Sequence, residues 1–318
     1  MTVSRRQWAL PLVSLLITGA LLAISINLQK LAGEAGLTGA SFLAWSLAGA
    51  TVVLVGVSVV RHRLPALNAH TIEYFVIAGL LGLAAPNLLT FAAIPHVGAG
   101  FVALALPFSP LFTYLGALAL GMEQFQTRRA GGVVLALGGG ALLAALKLSE
   151  PDVDTFWVAV TLCSPILLAG GNIYRTARWP EGAAPDELAP GMLGAAALIL
   201  FVVGAVMENF LGRVAQFSLA VPMDHAAPVL LILAQMVTFS VMYLLFFVLQ
   251  KHGGPVYLSL LGSVAAIIGV PIAVFLLGEA PPQGLAVGGI LIAVGVGLLT
   301  LGDPKGEEEE TAAPPTAD

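Results

Sequence analysis

The chain has 318 residues, of which 58% are hydrophobic and 10% charged, with a mean hydropathy of +0.96. Soluble domains carry about 25% charged residues, so a soluble enzyme or binding module is excluded and an integral membrane protein is expected. The net charge of −5 says little about partners, because Glu307 to Glu310 alone supply four of the negatives in a polar acidic tail that stays solvated.

A bilayer core of roughly 30 Å needs about 20 apolar residues per helix. The amino terminus, MTVSRRQWALPLVSLL, places two arginines before an apolar run that continues to Gln29 without a small-residue cleavage pattern, so it reads as a first transmembrane helix. Charge-free windows cover 7–29, 35–60, 74–95, 97–122, 130–146, 155–174, 188–207, 226–250, 254–278 and 280–302. Ten such windows predict an all-α integral membrane protein with ten transmembrane helices. The fourth and fifth are separated by MEQFQTRR, the eighth and ninth by KHGG, and the sixth and seventh by the longer RTARWPEGAAPDE. The last two form a tight hairpin around Gly278-Glu279-Ala280-Pro281-Pro282, where Gly and the double Pro cannot continue a helix.

That hairpin has an earlier counterpart. At an offset of 157 (278 − 121), Gly278, Gly288, Gly289, Ala293, Gly295, Gly297 and Leu299 match Gly121, Gly131, Gly132, Ala136, Gly138, Gly140 and Leu142. Shared small residues also arise from helix packing alone, but the spacing kept across the loop argues for duplication. Residues 1–150 and 151–302 then form two five-helix repeats, followed by a disordered acidic cytoplasmic tail over 303–318. Five helices is an odd number, so the second half enters the membrane from the opposite face, making the repeats inverted. Orientation follows from the basic residues: ten of thirteen, including Arg61, Arg63, Arg128, Arg129, Arg175, Arg178 and Lys251, face the cytoplasm if the amino terminus does. Lys30, Lys147 and Arg213 stay outside, and both termini are cytoplasmic.

Two five-helix halves, each ending in a small-residue helix behind a Gly-Glu or Gly-x-Glu corner, resemble the drug/metabolite transporter superfamily and its EamA-type members. The likeness rests on Pro107 and Pro110 followed by LGALALGMEQFQTRRAGGVVLALGGGALL, and on GPVYLSLLGSVAAIIGVPIAVFLLGEAPPQGLAVGGILIAVGVGLL. The resemblance implies a bundle whose fifth and tenth helices pack peripherally while eight surround a substrate path. The first helix departs from it, carrying LLAISINLQK where many members have Trp-Gly.

All eighteen Asp and Glu lie in loops, tails or helix ends, and the five histidines lie near interfaces. A proton relay through a mid-membrane carboxylate is therefore not expected. No helix carries two metal ligands at i, i+3 or i, i+4 within its apolar span, and only Cys163 is present, so a metal centre, a cofactor, a catalytic constellation and a disulfide are not expected. Neutral polar groups inside spans remain. Asn87, beside the helix-breaking Pro86, is the first choice for substrate binding, because a broken helix is tolerated where backbone lines a cavity. Thr90, Asn27, Asn172, Gln235, Tyr243, Tyr257 and Ser263 complete the candidate substrate-binding set; Pro86 and Tyr243 correspond at the offset of 157. Asn27-x-x-Lys30 and Asn172-x-x-Arg175 recur at an offset of 145. Lys30 and Arg175 are either two snorkelling cations at helix ends or a gating pair, one at each mouth of the path.

These features predict a secondary transporter in a plasma membrane of the bacterial inner-membrane kind, alternating access between its halves to a small-molecule substrate. The resemblance suggests export of amino acids or similar compounds; import of a sugar-like or nucleoside-like solute, and a non-transport membrane scaffold, are the alternatives. Membrane lipid is an expected partner and nucleic acid is not; a homodimer stays open.

Overall fold

The computed structural model describes residues 2–64, 67–97, 105, 108–148, 155–210, 218–259, 261–262, 264–265, 268, 272 and 285–300. These residues are helical or in connecting turns, with no strand among them. The helices are α1 (Thr2–Glu34), α2 (Gly39–Val60), α3 (Ala69–Gly79), a π-helical turn (Leu80–Ala84), α4 (Ala85–Val97), α5 (Ser109–Ala119), α6 (Thr127–Leu148), α7 (Thr155–Ala177), α8 (Pro185–Phe210), α9 (Ala227–Ser259) and α10 (Leu285–Thr300). Six described segments are long and apolar enough to cross a membrane: Leu12–Glu34, Gly39–Val60, Ala69–Thr90, Thr155–Ala177, Pro185–Met207 and Ala227–His252. The chain is a multi-pass membrane protein. The corner at Gly278–Pro282, the tail and most of the ninth window lie outside the described residues.

Two boundaries differ from the windows read off the sequence. α3 starts at Ala69, because Asn68 and Thr71 form a capping box: Thr71 N donates to Asn68 Oδ1 at 2.9 Å and Asn68 N to Thr71 Oγ1 at 3.0 Å. Two orphan donors of the first turn are satisfied that way. α9 runs unbroken through Lys251-His252-Gly253-Gly254-Pro255 to Ser259, where the sequence suggested a break. At a membrane boundary, leaving the helix would strand backbone groups with few partners, and this outweighs a Gly propensity penalty of about 1 kcal/mol per residue.

The packing is set by small residues. Lipid tails are as apolar as leucine, so helices gain from close contact rather than from leaving water. α3 lies on α8 where an added Cβ at Gly79 would stand 3.0 Å from Met192 O and Ala196 N. α6 lies on α10 where a Cβ at Gly295 would meet Gly132 O at 2.5 Å and Ala136 N at 2.7 Å. α1 pairs with α9, α4 with α7, α2 with both α8 and α9, and α5 with α7 and α9. Leu47, Leu54, Tyr74, Met192, Leu193 and Phe247 are buried where α2, α3, α8 and α9 meet. Val52, Val59, Leu198, Val202, Val237 and Val294 point outward and are exposed, an apolar exterior suited to acyl chains.

One end of the bundle gathers charges. Arg61 and Arg63 lie 3.7 and 3.9 Å from Asp186, Arg178 lies 3.6 Å from Glu73, and Lys251 Nζ donates to Ala183 O at 3.2 Å. Such pairs between exposed groups contribute under about 1 kcal/mol. They show that the ends of α2 and α7, the starts of α3 and α8, and the Lys251 level of α9 share one face, the alternation a multi-pass chain requires.

Candidate functional site

α3, the π turn and α4 follow one another as one helical rod, irregular at Pro86, which has no N–H to offer the carbonyl of Gly82. The turn ahead of it widens, and the Ala85 N–H reaches back to Leu80 O in the π pattern. Such bulges mark irregular backbone that a membrane tolerates only inside protein or a cavity. Around the break, Asn87 Nδ2 donates to Leu83 O at 2.7 Å, and Thr90 Oγ1 donates to Pro86 O at 2.8 Å. α7 adds Ser164, whose Oγ donates to Pro86 O at 3.3 Å and lies 3.4 Å from the Thr90 hydroxyl. The structure thus brings Pro86 and Thr90 together with a residue that the sequence reading passed over. Its signal was the neighbouring Pro165, a second proline inside a helix, at the level of Pro86.

Above this cluster α7 and the π turn touch backbone to backbone, since a Cβ at Gly171 would stand 2.9 Å from Gly82 N. One turn further along α7, the Arg175 guanidinium lies against Gly82, and a Cβ there would collide with Nη1. Arg175 is 1% exposed. It is not a snorkelling cation: α7 continues to Ala177, and its inward face carries the side chain between the π turn and α9. Nε donates to Gln250 Oε1 at 3.0 Å, Nη2 donates to Asn172 Oδ1 at 2.6 Å, and Cζ lies 4.9 Å from the centre of the Phe246 ring. Gln250 Nε2 is held in turn by Thr176 Oγ1 at 3.1 Å and Asn172 O at 3.3 Å. The Tyr74 hydroxyl donates to Arg175 O at 3.5 Å. Nη1 alone is buried without a hydrogen-bond partner. Among the described residues no carboxylate lies within ion-pair distance of this guanidinium.

Lys30 differs from its sequence counterpart. It lies 3.9 Å from Glu34 with its side chain 31% exposed, at a helix end. Asn27 Nδ2 donates to Ala23 O of its own helix at 2.8 Å. Asn172 instead anchors Arg175, so the two Asn-x-x-cation motifs fold into unlike surroundings.

α9 presents Gln235, Phe239, Tyr243, Phe246 and Gln250 along one face, at the four- and three-residue steps of a single helical stripe. Tyr243 sits 5.5 Å from Phe239 and 5.4 Å from Phe246, ring centre to ring centre. Gln235 Nε2 donates to Ser25 of α1, and its Oε1 is buried without a partner. No hydrogen bond joins Asn87 to Tyr243. Tyr257 falls within α9, but its side chain and all of Ser263 lie outside the described residues. Gln250, Phe246 and Tyr74 are residues the sequence reading missed; Gln250 was hidden beside Lys251, in what looked like a polar helix end.

No family model matches the chain. A WAT1-related protein of Arabidopsis thaliana is 28% identical over 121 residues, which is 36% of this chain and 34% of that protein. The match spans about a third of that relative. A solved crystal structure superposes on 93% of this chain and 98% of its own with a TM-score of 0.66 at 15% identity, a likeness of fold alone.

Proposed function

We propose that the protein is a secondary transporter of the drug/metabolite superfamily, EamA-like, that moves a small metabolite across the plasma membrane by alternating access. The observation that carries this reading is the pairing of helices, which keeps its pattern when the halves are exchanged. α1 packs on α9 as α7 packs on α4, α2 packs on α9 as α8 packs on α3, and α2–α8 and α6–α10 are pairs of equivalents. Gly19 of α1 against Val264 parallels Gly116 of α5 against Ile173 of α7. Halves related by such an exchange, with a π-bulged helix and neutral polar groups at their junction, would suit a path that opens to either side. The partial similarity to a WAT1-related protein supports the same superfamily. Amino acids or related compounds, moved outward, are the solutes proposed. Pro86, Asn87, Thr90 and Ser164 line the path, and the Arg175–Asn172–Gln250 cluster closes the end where the charged pairs collect.

The test is flux of a metabolite panel in proteoliposomes containing the purified full chain. Gradient-driven movement of at least one solute, above protein-free vesicles, is expected. No movement of any solute in either direction would sink the transport reading in favour of a scaffold.

A further inference from the structure

Every buried hydrogen-bonding group in a membrane interior needs a partner, and a cation needs most of all. Arg175 has two of its three guanidinium nitrogens held by amide oxygens, which are dipoles and carry no net charge. Its π face is covered by Phe246. The third nitrogen, Nη1, is fully buried and unbonded, and it points at the interrupted backbone of Gly82. The acidic group on the neighbouring helix start, Glu73, is taken up by Arg178 at 3.6 Å and by the Tyr174 hydroxyl at 3.4 Å. The positive charge is therefore held in place by neutral groups and lacks a resident counterion among the described residues.

We infer that Arg175 Nη1 is an anion-recognition point, and that the transported solute carries a carboxylate which it receives. The inference rests on the transport reading and narrows its substrate class. Several features favour a carboxylate over other chemistries. Asn172 occupies Nη2, so one free nitrogen and a single positive charge remain, which a monoanionic carboxylate neutralises whereas a dianionic phosphate would leave a buried negative charge. Phe246, Tyr243 and Phe239 continue from the guanidinium along the α9 stripe and offer an apolar wall to the organic part of such a solute. Among the described residues no carboxylate faces the guanidinium, so a solute that bears a carboxylate is favoured there over one that is only cationic. Gly82 is part of the device, because any side chain there would occupy the place of Nη1.

Benzoate, benzamide and benzylamine share a ring and differ in charge, which makes them suitable probes. Binding to the purified full-length protein in detergent is read as a concentration-dependent rise in its unfolding midpoint. Benzoate should raise it, whereas benzamide and benzylamine should not. Arg175→Gln should abolish the benzoate effect. Gly82→Ala keeps the charge but crowds Nη1, and should weaken benzoate binding by about 10- to 100-fold, the usual consequence of losing one hydrogen bond to a charged group. If Arg175→Gln does not fold, Gly82→Ala carries the test alone. Equal binding of benzamide, binding of inorganic phosphate in place of benzoate, absence of any benzoate effect at millimolar concentration, or a benzoate effect unchanged in Gly82→Ala would each overturn the inference. Flux of neutral solutes without carboxylate binding would remove the anion site and leave transport standing. Arg175-dependent benzoate binding in a protein that moves no solute would uphold the site and remove transport.

Discussion

Asn87 donates its amide N–H to Leu83 O and leaves its side-chain oxygen without a hydrogen bond from the described protein, at the position where Pro86 opens the helix. On the transport reading, that oxygen is the part a solute would use. Replacing Asn87 by Leu keeps a similar volume and removes the acceptor; the expected loss is about 0.5 to 1.5 kcal/mol of binding, or roughly three- to tenfold in apparent affinity. Thr51→Val is the matched control, since the Thr51 hydroxyl returns to Leu47 O of its own helix at 2.7 Å. Measured at equal expression, an unchanged affinity in Asn87→Leu would take Asn87 out of the path, and a larger loss in the control would place the path elsewhere. Arg175 makes the complementary point. Its neighbours in the chain, Tyr174, Thr176 and Arg178, suggest a wet helix end, yet Gly82 leaves a space into which only this side chain turns.

The interrupted α3–α4 rod shows how one residue shapes an element. Pro86→Ala restores the missing N–H and gains about 3 kcal/mol of intrinsic helix propensity, so the unfolding midpoint in detergent should rise. If the break serves the path, flux should fall at the same time, because the carbonyls released at the π turn would be drawn back into the helix. A stabilised variant with undiminished flux would make the break a plain kink. At the outer seam, α10 meets α6 through Gly295 and Gly132, at a distance that leaves no room for a side chain. Gly295→Leu should push the helices apart and destabilise the protein by about 1 to 3 kcal/mol, the usual cost of overpacking. A midpoint equal to that of the native protein would mean that the seam tolerates separation.

For the whole molecule, the pairs Arg61–Asp186, Arg63–Asp186 and Arg178–Glu73 define one face of the bundle. If the basic residues set orientation, that face is cytoplasmic and both termini lie there. Reporter fusions at residue 318 should be active inside the cell and inactive outside; an external signal would invert the topology. Deleting 304–318 should leave flux unchanged, because DPKGEEEETAAPPTAD has no apolar area to bury. A tenfold loss with normal insertion would contradict this.

Composition alone dictated a membrane protein, since a chain with so few charges cannot stay in water, and window length pointed to apolar spans, six of which the described residues contain. The small residues repeated at Gly132, Ala136, Gly289 and Ala293 pointed to duplication; in the structure α6 and α10 meet closely, with Gly295 of α10 against Gly132 and Ala136 of α6. Pro86 was legible as an irregularity because proline acts through its own backbone, and the helix passes it through a π turn instead of breaking. Tertiary structure decided what the polar side chains do. The same Asn-x-x-cation spacing leaves Lys30 at a rim and buries Arg175, because only the second lies beside Gly82, Phe246 and Gln250, residues distant in the chain. Periodicity assigns a side chain to a helix face; what that face meets depends on neighbours brought in by folding, and the environment of a charge is set by those neighbours.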